Sequence, residues 1–147
     1  MCPLLSEIFF YYTHKAGHIS FVYRHVHKVH HKWSVTCAVA ASYAHSLEFL
    51  LCFVPVLVLP PVIVNLHWTA TQLWWCLALI SVVGSHSGYT ARTFPWTLLG
   101  AEPRHSEHHM NGKVKFGPLQ LLDKIYGTEE LGESSILHRT VLKRKSS

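Results

Sequence analysis

The chain has 147 residues, 49% of them hydrophobic and only 14% charged, with a formal net charge of +5. That length accommodates one ordinary domain at most, and so low a charged fraction, against about 25% in typical soluble domains, favours a membrane protein. The thirteen Lys and Arg residues form no interleaved basic stripe, which argues against nucleic acid as a partner.

Residues 4–33 read as helical material punctuated by aromatic residues and histidines, from Phe9, Phe10, Tyr11 and Tyr12 to Trp33. Two histidine clusters fall within it: His14 and His18 (HxxxH), then His27, His30 and His31 (HxxHH). On an α-helix, residues three and four apart share a face, so each cluster is expected to aim its imidazoles one way. An apolar run from Leu47 to Val64 follows, with Glu48 as its one charged residue. At about 1.5 Å per residue it approaches the ~30 Å of a bilayer core. Pro55, Pro60 and Pro61 are expected to kink or break it, which leaves a spanning and a re-entrant segment both open. A second apolar run, Leu73 to Val83, has Trp68, Trp74 and Trp75 near its start, a placement that suits an interfacial aromatic belt. His86 follows in Ser-His-Ser-Gly-Tyr, and His105, His108 and His109 form a second HxxHH. Residues 111–133 read as a loop and short helix, with turns at Gly112, Gly117 and Pro118, before a polar basic tail over 134–147.

Charge placement sets the topology. No Lys or Arg lies between Trp33 and Ala91, and all thirteen fall in residues 15–32 and 92–145. By the positive-inside rule this is a hairpin, about 47–83, with both ends in the cytosol, and all three histidine clusters then share one side. The ending Lys143-Arg144-Lys145-Ser146-Ser147 matches a dilysine-type retrieval signal for the endoplasmic reticulum. The four cysteines show neither CxxC pairing nor disulfide-like spacing.

A structural zinc site takes four ligands and a catalytic one usually three. Eight or nine convergent histidines are too many for one ion and point to a two-metal centre. Imidazole alone does not choose among iron, zinc, copper and nickel. Beside a membrane the accessible substrates are lipid hydrocarbon, and oxidising unactivated C–H bonds needs redox chemistry, which zinc lacks; iron with dioxygen is the economical choice. His45, His67 and His138 read as ordinary satisfied polar residues, His25 as lying beside the site, and Glu107 as either orienting a histidine or facing water. No Gly-rich phosphate loop, GxSxG elbow or HExxH is present.

The three boxes in order, with Tyr-Arg-His-Val-His-Lys-Val-His-His-Lys-Trp, Ser-His-Ser-Gly-Tyr, Phe94-Pro95-Trp96 and Leu122-Asp123-Lys124-Ile125-Tyr126-Gly127-Thr128, resemble the fatty acid hydroxylase/sterol desaturase superfamily over roughly residues 7–128. Within it the chain is most similar to carbon-4 methylsterol oxidases and fatty acid hydroxylase domain-containing proteins. The resemblance implies an endoplasmic-reticulum membrane di-iron oxygenase that uses dioxygen and NAD(P)H-derived electrons, often through a b-type cytochrome or a reductase. It implies as metal ligands His14, His18, His27, His30, His31, His86, His105, His108 and His109. Three departures stand out: His-Lys-Ala-Gly-His in the first box, where Gly17 also weakens the helix by about 1 kcal/mol relative to Ala; Ser106 where Asp is usual; and Thr90 where many relatives have His or Asp. Thirteen residues precede His14, where relatives carry further membrane helices, so a short form is expected. The expected fold is an all-α integral membrane hairpin with a cytosolic His-rich di-metal domain over residues 1–133. The expected function is oxidation of a sterol methyl or fatty-acyl C–H bond. The alternatives are an inactive truncated isoform acting as a membrane partner or regulator, and a zinc-dependent histidine protein.

Overall fold

The computed structural model describes residues 1–88 and 104–129, and these are helical with no strand among them. Thr90, Phe94 to Trp96, His138 and the Lys143-Arg144-Lys145 tail lie outside the described residues. Helix α1 (Cys2–Gly17) leads into the short α2 (Ser20–His25), a 3₁₀ segment over His27–Lys32 and a 3₁₀ turn over Ala38–Ser42. Then come α3 (Ser46–Ile63), α4 (Trp68–His86), α5 (Arg104–Asn111) and α6 (Leu121–Tyr126). Helix α1 packs along α3 and against α6, and α4 packs on the 38–42 turn and on α5.

Burial is inverted relative to a water-soluble fold. The buried set is dominated by polar side chains, among them Glu7, His14, His27, His30, His108 and Asp123, whereas α3 and α4 expose Leu50, Leu51, Val62, Ile63, Leu73 and Leu79. Such large apolar faces on monomeric surfaces mark contact with a partner or a membrane. Helix α3 is long and apolar enough to cross a bilayer, with a mean hydropathy of 2.2 over 18 residues.

The expected break at the prolines does not occur. Helix α3 runs through Pro60 and Pro61, both buried, to Ile63. Pro55 falls in the first turn after a π-turn at Phe49–Phe53, where the hydrogen-bond ladder is already shifted in register. Pro60 and Pro61 have no N–H to give to the carbonyls four residues earlier, those of Val56 and Leu57. Other elements supply the donors. The Ser6 hydroxyl of α1 donates to Val56 O at 2.9 Å, and the indoles of Trp74 and Trp75 on α4 donate to Leu57 O at 3.2 and 3.1 Å. The diproline step thus ties α3 to both neighbours. It also corrects the reading of Trp74 and Trp75 as an interfacial belt: they turn inwards onto α3, while Trp68 stays exposed. His67 and His45 are polar caps as expected, accepting from the N–H groups of Thr69 and Leu47.

Ser6→Ala leaves a buried carbonyl unpaired and is expected to cost about 1–3 kcal/mol. In a Pro60→Ala background, which restores an N–H opposite Val56 O, the same change should cost far less. Unfolding of the four proteins in detergent checks this cycle, and equal costs in both backgrounds would refute the account.

Candidate metal centre

Helix α1 places Glu7, Tyr11, His14 and His18 at i, i+4, i+7 and i+11, one face of the helix. The second box is not on an α-helix. Residues 27–32 are 3₁₀, with His31 off helical geometry at φ −78°, ψ 18°, so His27, His30 and His31 fan apart. The result is two groups. His14, His18, His27, His31 and His108 form one, His30, His86, His105 and His109 the other, and in each group one nitrogen per residue lies within 4.8 Å of all the rest. The eight histidines singled out by spacing and the outlier His86 all fall in one group or the other. Their division corrects the expectation that each cluster faces one way, because both HxxHH boxes contribute to both groups.

Gly17 has a role that helix propensity does not register. A Cβ at that position would come within 3.1 Å of the His27 ring, so glycine lets the second box pack directly against α1. His25 is exposed and points away, its Nδ1 donating to Phe21 O at 2.8 Å. Glu107 pairs with Lys115 and not with a histidine. Ser106 exchanges a hydrogen bond with Thr36 at 2.7 Å and donates to Ser85 O, so it joins α5 to α4.

The orientation of the rings decides which nitrogens are available. His14 Nδ1 donates to Phe116 O (2.8 Å), His27 Nδ1 to Glu48 Oε1 (2.6 Å), His30 Nδ1 to Tyr43 O (3.2 Å), His86 Nδ1 to Val82 O (2.8 Å) and His108 Nδ1 to Val114 O (2.6 Å). These oxygens only accept, so the proton is on Nδ1 and Nε2 presents a lone pair. His86 Nε2 and His30 Nε2 therefore meet lone pair to lone pair at 3.4 Å. His18 Nε2 lies 2.9 Å from both His27 Nε2 and His108 Nε2, and one proton can serve only one of them. His14 Nε2 is buried with no hydrogen-bond partner. Converging, partnerless lone pairs repel one another, and a cation between them removes the conflict. The donor set fits a metal in each group, with carbonyls and one carboxylate fixing the rings from behind.

Glu48 was legible only as a lone charge at the head of an apolar run. It is the carboxylate behind His27, nine-tenths buried. Sequence spacing gave no sign of Glu7 or of Asp123's connection to the histidines.

Burial, followed by the nearness of other imidazoles, pushes the pKa values of six of the rings down. His108 falls to about 4, and His18 and His109 to about 2, and His14, His31 and His105 are lowered as well. Neutral imidazole is the metal-binding form, so the fold keeps the donors ready.

The two histidine groups are carried on helices and on the 3₁₀ segment between them. The fatty acid hydroxylase family model matches residues 1–128, and the chain belongs to that family. It is 30% identical over 87% of its length to human fatty acid hydroxylase domain-containing protein 2, covering 37% of that protein. It is 34% identical to the C-4 methylsterol oxidase erg25 of Schizosaccharomyces pombe over 76% of the chain and 40% of the relative. To the very-long-chain aldehyde decarbonylase GL1-11 of indica rice it is 31% identical over 86% of the chain and 50% of the relative. The chain thus spans between a third and a half of these relatives. No solved structure matches it.

The acid behaviour of the metal-free protein follows. In the unfolded chain these histidines take up protons near pH 6.5, but in the folded chain only at much lower pH. Their contribution to stability is therefore full above about pH 6.5 and is lost as pH falls through and below that value. Thermal unfolding of the metal-free protein between pH 8 and pH 5 should show Tm falling below pH 6.5. A flat profile would contradict the assignment of buried neutral rings.

Proposed function

We propose that this chain is a membrane-bound non-haem di-iron oxygenase that oxidises a lipid C–H bond, of a sterol methyl group or a fatty-acyl chain. The observation that carries the reading is the pair of imidazole groups, each presenting convergent Nε2 lone pairs. His14, His18, His27, His31 and His108 would hold one iron, and His30, His86, His105 and His109 the other. The metals, when bound, supply the redox capacity that oxidation of an unactivated C–H bond by dioxygen requires and that zinc lacks. The names of the similar proteins support this chemistry: a fatty acid hydroxylase domain-containing protein, a methylsterol oxidase and an aldehyde decarbonylase. Electrons would come from NAD(P)H through a b-type cytochrome or reductase.

The chain's own residues prepare the site. The Nδ1 acceptors hold the rings in place, so the ligand geometry is built before metal arrives. A recess of about 240 Å³ opens beside His14 and His27 and is walled by Val22, Val26, Leu47 and Leu51. Leu47 and Leu51 are also exposed on the apolar face of α3, so an alkyl chain could reach the recess from the lipid side. The apolar lining keeps water away and suits a hydrocarbon substrate.

A hairpin in the endoplasmic-reticulum membrane, with metal site and carboxyl end cytosolic, is part of the same reading. Glu48 near the start of α3 touches His27, and His86 at the end of α4 meets His30, so both helices contact the histidine groups at the same end of the pair. The 64–67 connection lies at the other end. Nineteen residues of α4 at about 1.5 Å each reach close to a bilayer core. The absence of Lys and Arg from 34–91 favours the cytosolic placement.

Elemental analysis of the detergent-purified chain expressed with iron should find close to two irons per chain, and His108→Ala with His109→Ala should lower bound metal and abolish substrate oxidation. Normal metal content and turnover in that double variant would remove the proposal. A loaded wild-type chain that oxidises neither a 4-methylsterol nor a fatty-acyl substrate, with a reductase system supplied, would favour a partner or regulatory role. Separately, Leu51→Trp should leave metal content unchanged and raise KM for the lipid on the order of tenfold, the scale of an altered apolar pocket wall. An unchanged KM would exclude the recess as the substrate's seat.

A further inference from the structure

Two carboxyl groups outside both histidine groups are among the most buried side chains in the molecule, Glu7 at 2% and Asp123 at 0% exposure. Neither has an ion-pair partner among the described residues, and each takes part only as an acceptor. Asp123 accepts from Phe116 N–H (2.9 Å), Gly117 N–H (2.7 Å) and the Thr128 hydroxyl (2.6 Å). Glu7 accepts from Leu119 N–H (2.7 Å) and Leu122 N–H (3.1 Å). Between α5 and α6 the chain has no secondary structure of its own, and its buried N–H groups need acceptors. These two carboxyl groups supply them.

The same loop faces the first histidine group. Phe116 O, which accepts from His14 Nδ1 at 2.8 Å, and Gly117 N–H, which donates to Asp123, belong to one peptide unit. That unit is planar, so it cannot turn without breaking both bonds. Val114 O, which accepts from His108 Nδ1 at 2.6 Å, shares its peptide unit with Lys115 N–H, which donates to Thr128 O at 2.8 Å. Thr128 is in turn bonded to Asp123 through its hydroxyl and its own N–H. Gly117 permits the approach: a Cβ there would stand 2.5 Å from Glu7 Oε1 and 3.0 Å from Asp123 Oδ2. The second group takes nothing from this loop. The acceptors behind His30 and His86 are Tyr43 O and Val82 O.

We propose that Glu7 and Asp123 are positioning residues for one metal of the pair: by clamping the 114–119 loop they fix the His14 and His108 rings, and so the affinity of the first group and not of the second. This rests on the reading that each group holds a metal. Glu7 comes from the start of α1 and Asp123 from α6, so the clamp makes the first metal position depend on both ends of the described chain being docked together.

The test counts cobalt(II) on the full chain in detergent, by elemental analysis after removal of excess ion, together with the visible absorption of the bound ion. Wild type is expected to hold two cobalt ions. Asp123→Asn, which keeps the side chain's shape, and Gly117→Ala, which leaves both carboxyl groups in place, should each weaken one ion on the order of 10–100-fold, the usual effect of losing a partner behind a ligand. The second ion should stay at wild-type affinity and keep its spectrum, and a further His105→Ala should remove it. Tyr12→Phe, which breaks the exposed Tyr12–Tyr126 hydroxyl contact between α1 and α6, should retain both ions. Two ions at wild-type affinity in both loop variants, or equal weakening of the two with helicity unchanged, would overturn the proposal. A wild-type chain that binds no cobalt would overturn the two-metal reading beneath it, a result separate from the other two.

Discussion

The structure is organised around a repulsion. Rings from α1, the 27–32 segment, α4 and α5 are turned so that their Nε2 lone pairs meet, and the protons that would relieve the conflict are held on Nδ1 by carbonyls and by Glu48. A chain selected only for stability would rotate one ring of each clashing pair or leave one half-exposed in water. Here six of the rings are buried instead, and five are held from behind through Nδ1. Burial alone disfavours the imidazolium, and crowding by neighbouring imidazoles disfavours it further, so protonation offers no escape at neutral pH. A multivalent cation does, and the cost of assembling the rings is the cost of preorganising its ligands.

That requirement explains the inverted burial. Six buried imidazoles, three half-buried ones and the carboxyl groups that steady them fill the interior, leaving little room there for the apolar side chains of α3 and α4. Those side chains face outward, which is tolerable only where the surroundings are themselves apolar. In such surroundings backbone polar groups have to be satisfied within the protein. The diproline step in α3 meets this condition by drawing on Ser6, Trp74 and Trp75, so the helix most exposed to an apolar environment is also fastened to both neighbours.

Spacing made eight of the nine histidines legible because HxxxH and HxxHH put rings close together in any helical geometry; His86 stood outside the boxes. It could not assign them to groups, since that depends on residues 27–32 being 3₁₀ with His31 displaced, a local departure that HxxHH spacing does not encode. Pro60 and Pro61 read as a kink or break because proline's missing donor is visible in sequence while the compensating donors, 17 or more residues from the carbonyls they serve, are not. Trp74 and Trp75 misled for the same reason: an indole N–H that caps a distant carbonyl has the same sequence signature as one at a membrane surface. The apolar runs and the distribution of Lys and Arg were readable from composition, because a bilayer selects on average character and not on individual contacts.

The histidine groups share boxes but not supports. Residues 27–32 and α5 feed both, so neither group can assemble without the segments that build the other. The partners behind the rings are divided: Phe116 O, Val114 O and Glu48 serve the first group, Tyr43 O and Val82 O the second. Val82 is on α4 itself, one turn before His86, so the second group is oriented by a helix whose own apolar face is exposed. The first group is oriented by a loop that carboxyl groups from α1 and α6 hold in place. The two histidine groups are thus braced by different parts of the fold, one by an apolar helix and the other by buried polar contacts. Interactions of these two kinds respond differently to the environment, the apolar one to whatever covers the exposed face of α4 and the polar one to the docking of α6. Such a division allows the two positions to differ in affinity even though all nine side chains are histidine.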